Sequence, residues 1–342
     1  MSSPPHPPSI PDCEKGPSAA KDQGKQVSIS VVIPVYNEEP NLPDLQDRLA
    51  RVMESLDRAW EVVYVDDGSS DRSLEILGAA AARDRRIRVV EFNRNYGQHA
   101  AVFAGLALTR GDMVVTLDAD LQNPPEEIPK LVAKMDEGYD VVGTLRKNRQ
   151  DSLFRRIASK IVNRMTRGTN RSAVGMTDFG SMLRAYSRNV VDQIGQCREL
   201  SSFIPVLAML YAKRAVEIPV EHAERSRGTS KYGLYQLLKL QMDLMTGFSF
   251  LPLRFLSWFG GITAAGAFAL GVGILVRRFT MKGGDEWALF GVFTLFAVLF
   301  MMLGGIFVGL GILGEYVGRI YGEVRQRPRY VVRKVHGGEQ AP

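Results

Sequence analysis

The sequence lacks both glycine-rich loops that bind phosphate in common nucleotide-binding folds. No G-x-G-x-x-G motif follows the first predicted strand, and no G-x-x-x-x-G-K-[ST] motif occurs in the 342 residues. These absences argue against an oxidoreductase of the dinucleotide-binding type and against an ATPase with a phosphate loop. If the chain binds a diphosphate, a metal ion and cationic side chains must therefore compensate its charge.

Cysteine is scarce, and the N-terminal residues contain almost no large apolar side chains. Cys13 and Cys197 fit neither a disulfide framework nor a zinc site, which indicates a reducing compartment. Residues 1–26 are rich in Pro, Ser and Gly, so we expect a disordered leader. We do not expect a secretory signal peptide, because no apolar run follows a basic start there.

The net charge is positive. A formal charge of +6 and a pI of about 9.3 favour an anionic partner, and nucleic acid, a membrane surface and phosphorylated substrates all stay open at this point. The length suits one large α/β domain with a smaller additional part.

Three predicted strands end in clusters of polar side chains. Apolar, β-branched runs begin at Val27, Trp60, Ile87 and Met113 and alternate with helical patterns. This alternation predicts a doubly wound, mostly parallel sheet. Polar clusters follow three of the runs, at Tyr36–Glu39, Asp66–Asp71 and Asp118–Asn123. Because the carboxyl ends of parallel strands share one edge of a sheet, these clusters predict a binding crevice.

The pair Asp118 and Asp120 is the strongest candidate for metal binding. Mg²⁺ and Mn²⁺ prefer oxygen ligands and usually take only one or two protein carboxylates, leaving the remaining positions to water and substrate phosphate. The alternative is a turn or helix-capping pair of aspartates before Pro124 and Pro125.

Together, VVIPVYNE, VDDGSSD and TLDADLQNPPEE resemble the inverting family 2 glycosyltransferases of the GT-A fold, in the branch that glycosylates polyprenyl phosphates. Runs such as NRNYGQHAA, LGEYVGRIY and RPRY extend the resemblance from Val27 to Lys334. It implies a Rossmann-like GT-A domain, a UDP-sugar donor, undecaprenyl phosphate or a related acceptor, and Mg²⁺ or Mn²⁺. Nucleic acid is then not an expected partner, whereas a homo-oligomer such as a tetramer is.

The resemblance also assigns residues to the donor site. It places Pro34, Tyr36, Glu38, Asp67 and Asp118 at the nucleotide, with Asp67 accepting a hydrogen bond from uracil, and Asp118, Asp120 and Gln122 at the metal. An aromatic ring can stack on a base and a carboxylate can accept the imide N–H. Helix capping by Glu38 and packing of Tyr36 remain the alternatives.

The acceptor side needs cations. The resemblance implies Arg146, Arg155, Ser159, Arg225 and Lys231 as ligands of the lipid phosphate and the diphosphate. Arg155 and Ser159 are four residues apart and would share one face of a helix. The alternative is a basic surface that lies against anionic lipid.

Asp178 matches the family's acidic residue beside the reacting centre, although Phe179 stands where the family pattern has tyrosine. A phosphate monoester has a second pKa near 6 and hardly needs a general base. We therefore expect Asp178 to orient substrate rather than to remove a proton. His99 and His222 are expected to be structural.

Two long uncharged runs, 255–276 and 287–313, predict two transmembrane helices within residues 255–314. We assign the GT-A domain to residues 27–230, interfacial amphipathic helices to 231–254 and a basic tail to 315–342. The excess of Arg and Lys in that tail predicts that both termini and the catalytic domain lie on the cytoplasmic side. The resemblance implies that the membrane is a bacterial inner membrane.

Three alternatives remain open. UDP-glucose or GDP-mannose could be the donor of a related transferase. A processive polysaccharide synthase is disfavoured, because no Q-x-x-R-W motif is present. A nonenzymatic membrane adaptor derived from a transferase would keep the helices and lose metal-dependent nucleotide binding.

Overall fold

The computed structural model describes residues 27–146, 178, 180–197, 203–221, 251–280, 285–325 and 327–338. The predicted leader and most of the predicted interfacial helices lie outside these residues.

An eight-stranded sheet organises the catalytic part of the chain. The strands are β1 Ile29–Val35, β2 Trp60–Asp66, β3 Ile87–Phe92, β4 Met113–Thr116, β5 Val141–Arg146, β6 Arg184–Ser187, β7 Ala215–Val220 and β8 Val332–His336. Their order is β7-β5-β6-β4-β1-β2-β3-β8. β6 and β8 run antiparallel to their neighbours, and the other pairings in the described residues are parallel. The predicted mostly parallel α/β sheet is confirmed.

Helices cover both faces of the sheet. Alternate residues of each strand point to opposite faces, and both faces of the central strands carry apolar side chains. In β1, Val31 and Ile33 belong to one apolar cluster and Val32 to the other, and all three have no exposed surface. The helices of this part are α1 Leu42–Ser55, α2 Ser73–Arg83, α3 Gln98–Leu108, α4 Ile128–Asp136, α5 Arg188–Gln196 and α6 Ile204–Tyr211. Helices α1, α2 and α4 contribute to the first cluster, and α3, α5 and α6 to the second.

Two long apolar helices follow, α7 Leu251–Thr280 and α8 Asp285–Val324. Their lengths of 30 and 40 residues correspond to about 45 and 60 Å, more than the roughly 30 Å of a bilayer's hydrocarbon core. By length and composition both could cross a membrane, over Phe255–Gly273 and Val298–Gly322. Large apolar side chains such as Trp258 and Phe307 are at least 70% exposed. Their contact with water is unfavourable, and association with a membrane would remove it.

The two helices form an antiparallel pair. A Cβ atom added at Gly309 would lie 3.1 Å from Leu256, and one added at Gly305 would lie 3.5 Å from Phe259. As the residue number increases along α7, the number of the contacting residue in α8 decreases. The start of α7 and the end of α8 consequently lie on the same side of the pair.

The chain returns to the sheet after α8. Strand β8 pairs with β3, with Val89 opposite His336 and Glu91 opposite Lys334. The sequence predicted only a basic tail here, and its contribution of an edge strand is a finding of the structure. We use the name "tail" for residues 327–338.

Candidate active site

The polar clusters predicted from the strand ends lie at one edge of the sheet. β1 is paired with β2 on one side and with β4 on the other, all three parallel, so their carboxyl ends are neighbours. Pro34 and Tyr36 therefore lie between the Asp67 and Asp118 segments. Pro34 is buried in β1, whereas the Tyr36 ring is 49% exposed and can be reached by a ligand.

Hydrogen bonds fasten the loop after β1 to the loop after β2. The Asn37 amide donates to Ser69 Oγ at 3.0 Å, and the Ser70 amide donates to Asn37 Oδ1 at 2.8 Å. Asn37 has a positive φ of 56°, which is costly for a non-glycine residue and is compensated by these bonds. Strained backbone of this kind is common at functional sites.

Glu38 contributes to the same fastening. Its backbone amide donates to Ser73 Oγ at 3.0 Å, and its carboxylate accepts from Asn41 Nδ2 at 2.6 Å. Helix α1 begins at Leu42, and the Asn41 side chain bonds to Glu38 and makes no cap to the helix. Contacts with the nucleotide remain a prediction for Glu38.

Asp67 holds the turn that connects β3 with α3. Its Oδ1 accepts from the Tyr96 amide at 2.7 Å and its Oδ2 from the Gly97 amide at 2.9 Å. Burial raises the pKa of Asp67, and the two amide donors act in the opposite direction. Its predicted bond to uracil would have to use lone pairs that these amides leave over, since each carboxylate oxygen has two.

Asp66 and Asp71 flank this residue with opposite pKa shifts. Burial raises the pKa of Asp66, and its Oδ1 lacks a hydrogen-bond partner among the described residues. For Asp71, burial acts to raise the pKa, but hydrogen bonds from Ser73 and Glu39 bring it below its ordinary value. The Ser73 amide donates to Asp71 Oδ1 at 3.0 Å and so holds the backbone where α2 begins.

The Asp118–Gln122 loop carries the candidate metal ligands. The side chains of Asp118, Asp120 and Gln122 are half-buried, and Asp120 Oδ1 accepts from the Gln122 amide at 3.1 Å. Between them Leu121 has a positive φ of 60°. No cluster of three or more His, Cys, Asp or Glu side chains suited to a metal occurs in the part of the chain that the structure describes. Two carboxylates and an amide oxygen still fit a hard divalent cation whose other ligands come from substrate and water.

Gln98 is a site residue that the sequence reasoning missed. Its Nε2 donates to Asp118 Oδ1 at 2.5 Å, across a separation of 20 residues. Gln98 is the first residue of α3, directly after the turn that Asp67 holds. The sequence signal was a polar residue at the start of an otherwise apolar helix. His99 beside it packs edge-on against Phe203, and burial lowers its pKa to about 4, which agrees with its predicted structural role.

Strand β6 brings Asp178 to the same edge of the sheet. Because β6 runs antiparallel to β4, with Thr116 opposite Arg184, the residues before β6 lie at the carboxyl end of β4. Asp178 has no exposed surface, and its amide donates to Glu217 Oε1 at 2.7 Å. Its carbonyl accepts from the buried Arg184. Glu217 and Arg184, which the sequence reasoning also missed, thus fix the backbone of Asp178.

The predicted acceptor residues are mostly outside the description. Arg146 ends β5 at the same edge of the sheet as Asp118, and nothing is said of its side chain. Arg155, Ser159, Arg225 and Lys231, together with Phe179 and His222, lie outside the described residues. Their roles stay predictions.

A mostly parallel sheet whose acidic strand ends carry an Asp-x-Asp pair is typical of a glycosyltransferase domain of the GT-A type. The model of the family "Glycosyl transferase family 2" matches residues 30–195. The chain belongs to this family, and it is a glycosyltransferase.

Its similarity to curated relatives is more specific. It is 54% identical over 315 residues to the undecaprenyl-phosphate 4-deoxy-4-formamido-L-arabinose transferases of Salmonella choleraesuis and Salmonella heidelberg, covering 92% of this chain and 95% of each relative. Among solved structures it is similar to glucosyl-3-phosphoglycerate synthase from Mycobacterium tuberculosis in complex with Mn²⁺, UDP and glucosyl-3-phosphoglycerate. That likeness has a TM-score of 0.46 and 21% identity, over 65% of this chain and 78% of that one.

Proposed function

We propose that this protein transfers 4-deoxy-4-formamido-L-arabinose from a UDP donor to undecaprenyl phosphate, with inversion at the anomeric carbon. The observation that supports it most is 54% identity to transferases of that name over 92% of the chain. By the sequence resemblance, the product would serve lipid A modification and resistance to cationic antimicrobial peptides such as polymyxin.

The charge of the site supports a divalent metal. Carboxylates crowd this edge of the sheet, namely Glu38, Glu39, Asp66, Asp67, Asp71, Asp118 and Asp120. A diphosphate placed here would be repelled unless a cation lay between it and the protein. Asp118, Asp120 and Gln122 would hold Mg²⁺ or Mn²⁺, which would stabilise the charge that develops on the departing UDP.

The nucleoside would lie against the ends of β1 and β2. Tyr36 presents an exposed ring for stacking on uracil, and Pro34 would form the floor below it. Asp67 would accept from the uracil imide while it holds the Tyr96 and Gly97 amides. Glu38 would line the same pocket.

The acceptor phosphate would be held by cationic side chains on the opposite side of the diphosphate. On the strength of the sequence resemblance we assign the acceptor phosphate to Arg146, Arg155 and Ser159, and the diphosphate to Arg225 and Lys231. The four basic residues would offset the repulsion between a lipid monophosphate and the UDP diphosphate, a repulsion that otherwise opposes in-line attack, and the Ser159 hydroxyl would donate a hydrogen bond to the phosphate.

The chemical step needs alignment more than proton transfer. The phosphate oxygen of the acceptor attacks the anomeric carbon, the bond from that carbon to the UDP oxygen breaks, and UDP leaves. Since the acceptor is already ionised near neutral pH, no side chain has to act as its base. The complete burial of Asp178 and its fixed backbone suit the orienting role.

The helix pair suggests how the enzyme meets its lipid. The start of α7 and the end of α8 lie on one side, and the tail that follows α8 joins the catalytic sheet. The catalytic domain would therefore lie on that side of a bacterial inner membrane, facing the cytoplasm where nucleotide sugars occur. Assembly into a homo-oligomer such as a tetramer, in contact with membrane lipid, belongs to the same proposal.

Two measurements on the full-length protein in membranes or nanodiscs test the proposal. UDP is titrated with Mg²⁺, with Mn²⁺ and with a chelator, and we expect metal-dependent binding. Metal-independent or absent binding would favour the nonenzymatic adaptor.

The second measurement compares donors side by side with undecaprenyl phosphate as acceptor. A pocket that hydrogen-bonds a formamido group leaves buried polar atoms unpaired when the group is missing, so UDP-glucose should react poorly. Higher kcat/KM with UDP-glucose would refute the proposed sugar and keep the transferase class. Reaction with GDP-mannose alone would also remove the uracil contact of Asp67.

A further inference from the structure

The tail makes two separate sets of contacts with β3. On the strand itself, Arg333 Nη1 lies 3.0 Å from Glu91 Oε1, and His336 Nε2 lies 3.0 Å from Glu91 Oε2. Glu91 is only 6% exposed, so the two tail side chains contact a carboxyl group that β8 helps to bury. These contacts fasten the edge of the sheet.

The second set lies at the end of β3, where the turn to α3 begins. The Tyr330 ring stacks on Phe92, with centroids 5.1 Å apart and planes 12° from parallel. Phe92 meets the Tyr96 ring edge-on at 5.7 Å. The Asn93 amide donates to the Val331 carbonyl at 3.3 Å. The tail therefore packs against the start of the turn Asn93–Gly97 and reaches Tyr96, near its end, through Phe92.

The same turn reaches the donor site on its other side. The Tyr96 and Gly97 amides donate to Asp67, and Gln98, the next residue, donates to Asp118. The turn is also closely fitted to the loop after β2, since a Cβ atom at Gly68 would lie 2.6 Å from the Arg94 carbonyl carbon. A displaced turn would thus move the partners of two carboxylates that we assign to the donor site.

We propose that the tail is a positioning part of the nucleotide site, and that Tyr330 is its positioning residue. Tyr330 acts through Phe92 and Tyr96 on the turn, which in turn fixes Asp67 and Asp118. The segment that leaves the membrane helices thereby supports the site that binds UDP. This inference rests on the proposed function, because it takes the two carboxylates as donor-site residues.

The alternative role of the tail is to cover the edge of β3, because an uncovered edge strand exposes unpaired backbone N–H and C=O groups. The two sets of contacts make these roles separable. Tyr330→Ala removes the ring stacked on Phe92, through which the tail reaches Tyr96. Tyr330→Phe keeps the stacked ring, and Arg333→Ala removes a contact with Glu91 that does not involve Phe92 or the turn. All three variants are made in the full-length protein.

Two readouts are compared in these variants: the Kd for UDP in the presence of Mn²⁺, and hydrogen exchange of the Tyr96 and Gly97 amides without nucleotide. An aromatic pair of this kind supports a weakening of UDP binding by about threefold to tenfold in Tyr330→Ala. The two amides should exchange faster, whereas those of β1 should not change. Tyr330→Phe and Arg333→Ala should match the wild-type protein in both readouts.

Unchanged UDP affinity and exchange in Tyr330→Ala would overturn the inference. Equal losses in Tyr330→Ala and Arg333→Ala would also overturn it, because the tail would then act only as an edge strand. If the wild-type protein itself fails to bind UDP with metal, the proposed function is refuted instead, and normal wild-type binding separates the two failures.

Discussion

Gly105 lies on the side of α3 that packs against β1 and β2. A Cβ atom there would lie 2.3 Å from Val32 Cγ1 and 3.2 Å from Val65 Cγ2, whereas carbon atoms in contact normally stay about 3.5 to 4.0 Å apart. Val32 has no exposed surface, and its branched side chain has little freedom to rotate. Gly105→Ala should therefore force α3 away from the sheet.

The magnitude follows from two opposing terms. Overpacking costs about 1 to 3 kcal/mol, and the stiff neighbour places this site near the upper value. Alanine in place of glycine in a helix raises the free energy of unfolding by about 1 kcal/mol through its higher helix propensity. A net loss of about 2 kcal/mol should lower the apparent unfolding temperature by roughly 4 to 8 °C. UDP affinity should fall as well, because α3 begins with Gln98, the partner of Asp118.

Gly78 in α2 provides the matched control, because a Cβ atom there would meet nothing within 4 Å among the described residues. Gly78→Ala should gain about 1 kcal/mol from helix propensity and raise the unfolding temperature by roughly 2 to 4 °C. Both variants are measured by thermal unfolding of detergent-solubilised protein at one scan rate. If Gly105→Ala is as stable as the wild type, or if both variants shift equally, the packing argument is wrong.

Three further predictions concern the site. Asp120→Ala should abolish sugar transfer in a membrane assay, because the leaving diphosphate loses its charge compensation. Arg155→Ala should raise the KM for polyprenyl phosphate and leave UDP affinity nearly unchanged. Because burial raises the pKa of Asp66, its ionised form disfavours the folded state, and stability is lost as the pH rises through that pKa. The stability gain of Asp66→Asn over the wild type should therefore grow as the pH rises above about 4, the ordinary pKa of aspartate, as followed by unfolding temperature.

Each of these has a result that would contradict it. Near-normal turnover of Asp120→Ala would remove this residue from the metal site. An equal loss of UDP affinity in Arg155→Ala would move that residue to the donor side. A pH-independent difference between Asp66→Asn and the wild type would mean that the aspartate titrates alike in the folded and unfolded chains.

The parallel part of the sheet was predictable because its strands carry strong local signals. β1 to β4 are apolar, β-branched and followed by polar residues, and their observed bounds lie close to the predicted ones. The pattern fails for β8, whose sequence VRKVH carries three basic or titratable side chains. It forms a strand because β3 offers an open edge and Glu91 offers a buried charge, and both are properties of distant residues.

The site was predictable in position but not in its internal bonds. Parallel strands bring their carboxyl ends together, so the polar clusters after β1, β2 and β4 were expected to be neighbours. The bond from Gln98 to Asp118 and the hold of Asp67 on Tyr96 depend on how the β3–α3 turn folds across the strand ends. The spacing of residues in the sequence does not predict the course of this turn. The family motif therefore assigned Asp67 only to the ligand.

Strand β8 has a consequence for biosynthesis. Arg333 and its partner Glu91 are separated by 242 residues, and the ribosome makes both apolar helices between them. The edge of β3 therefore stays uncovered while α7 and α8 enter the membrane, and such an edge can pair with another nascent chain. Delayed membrane insertion should then appear as aggregation of the catalytic domain, even though none of its own residues has changed.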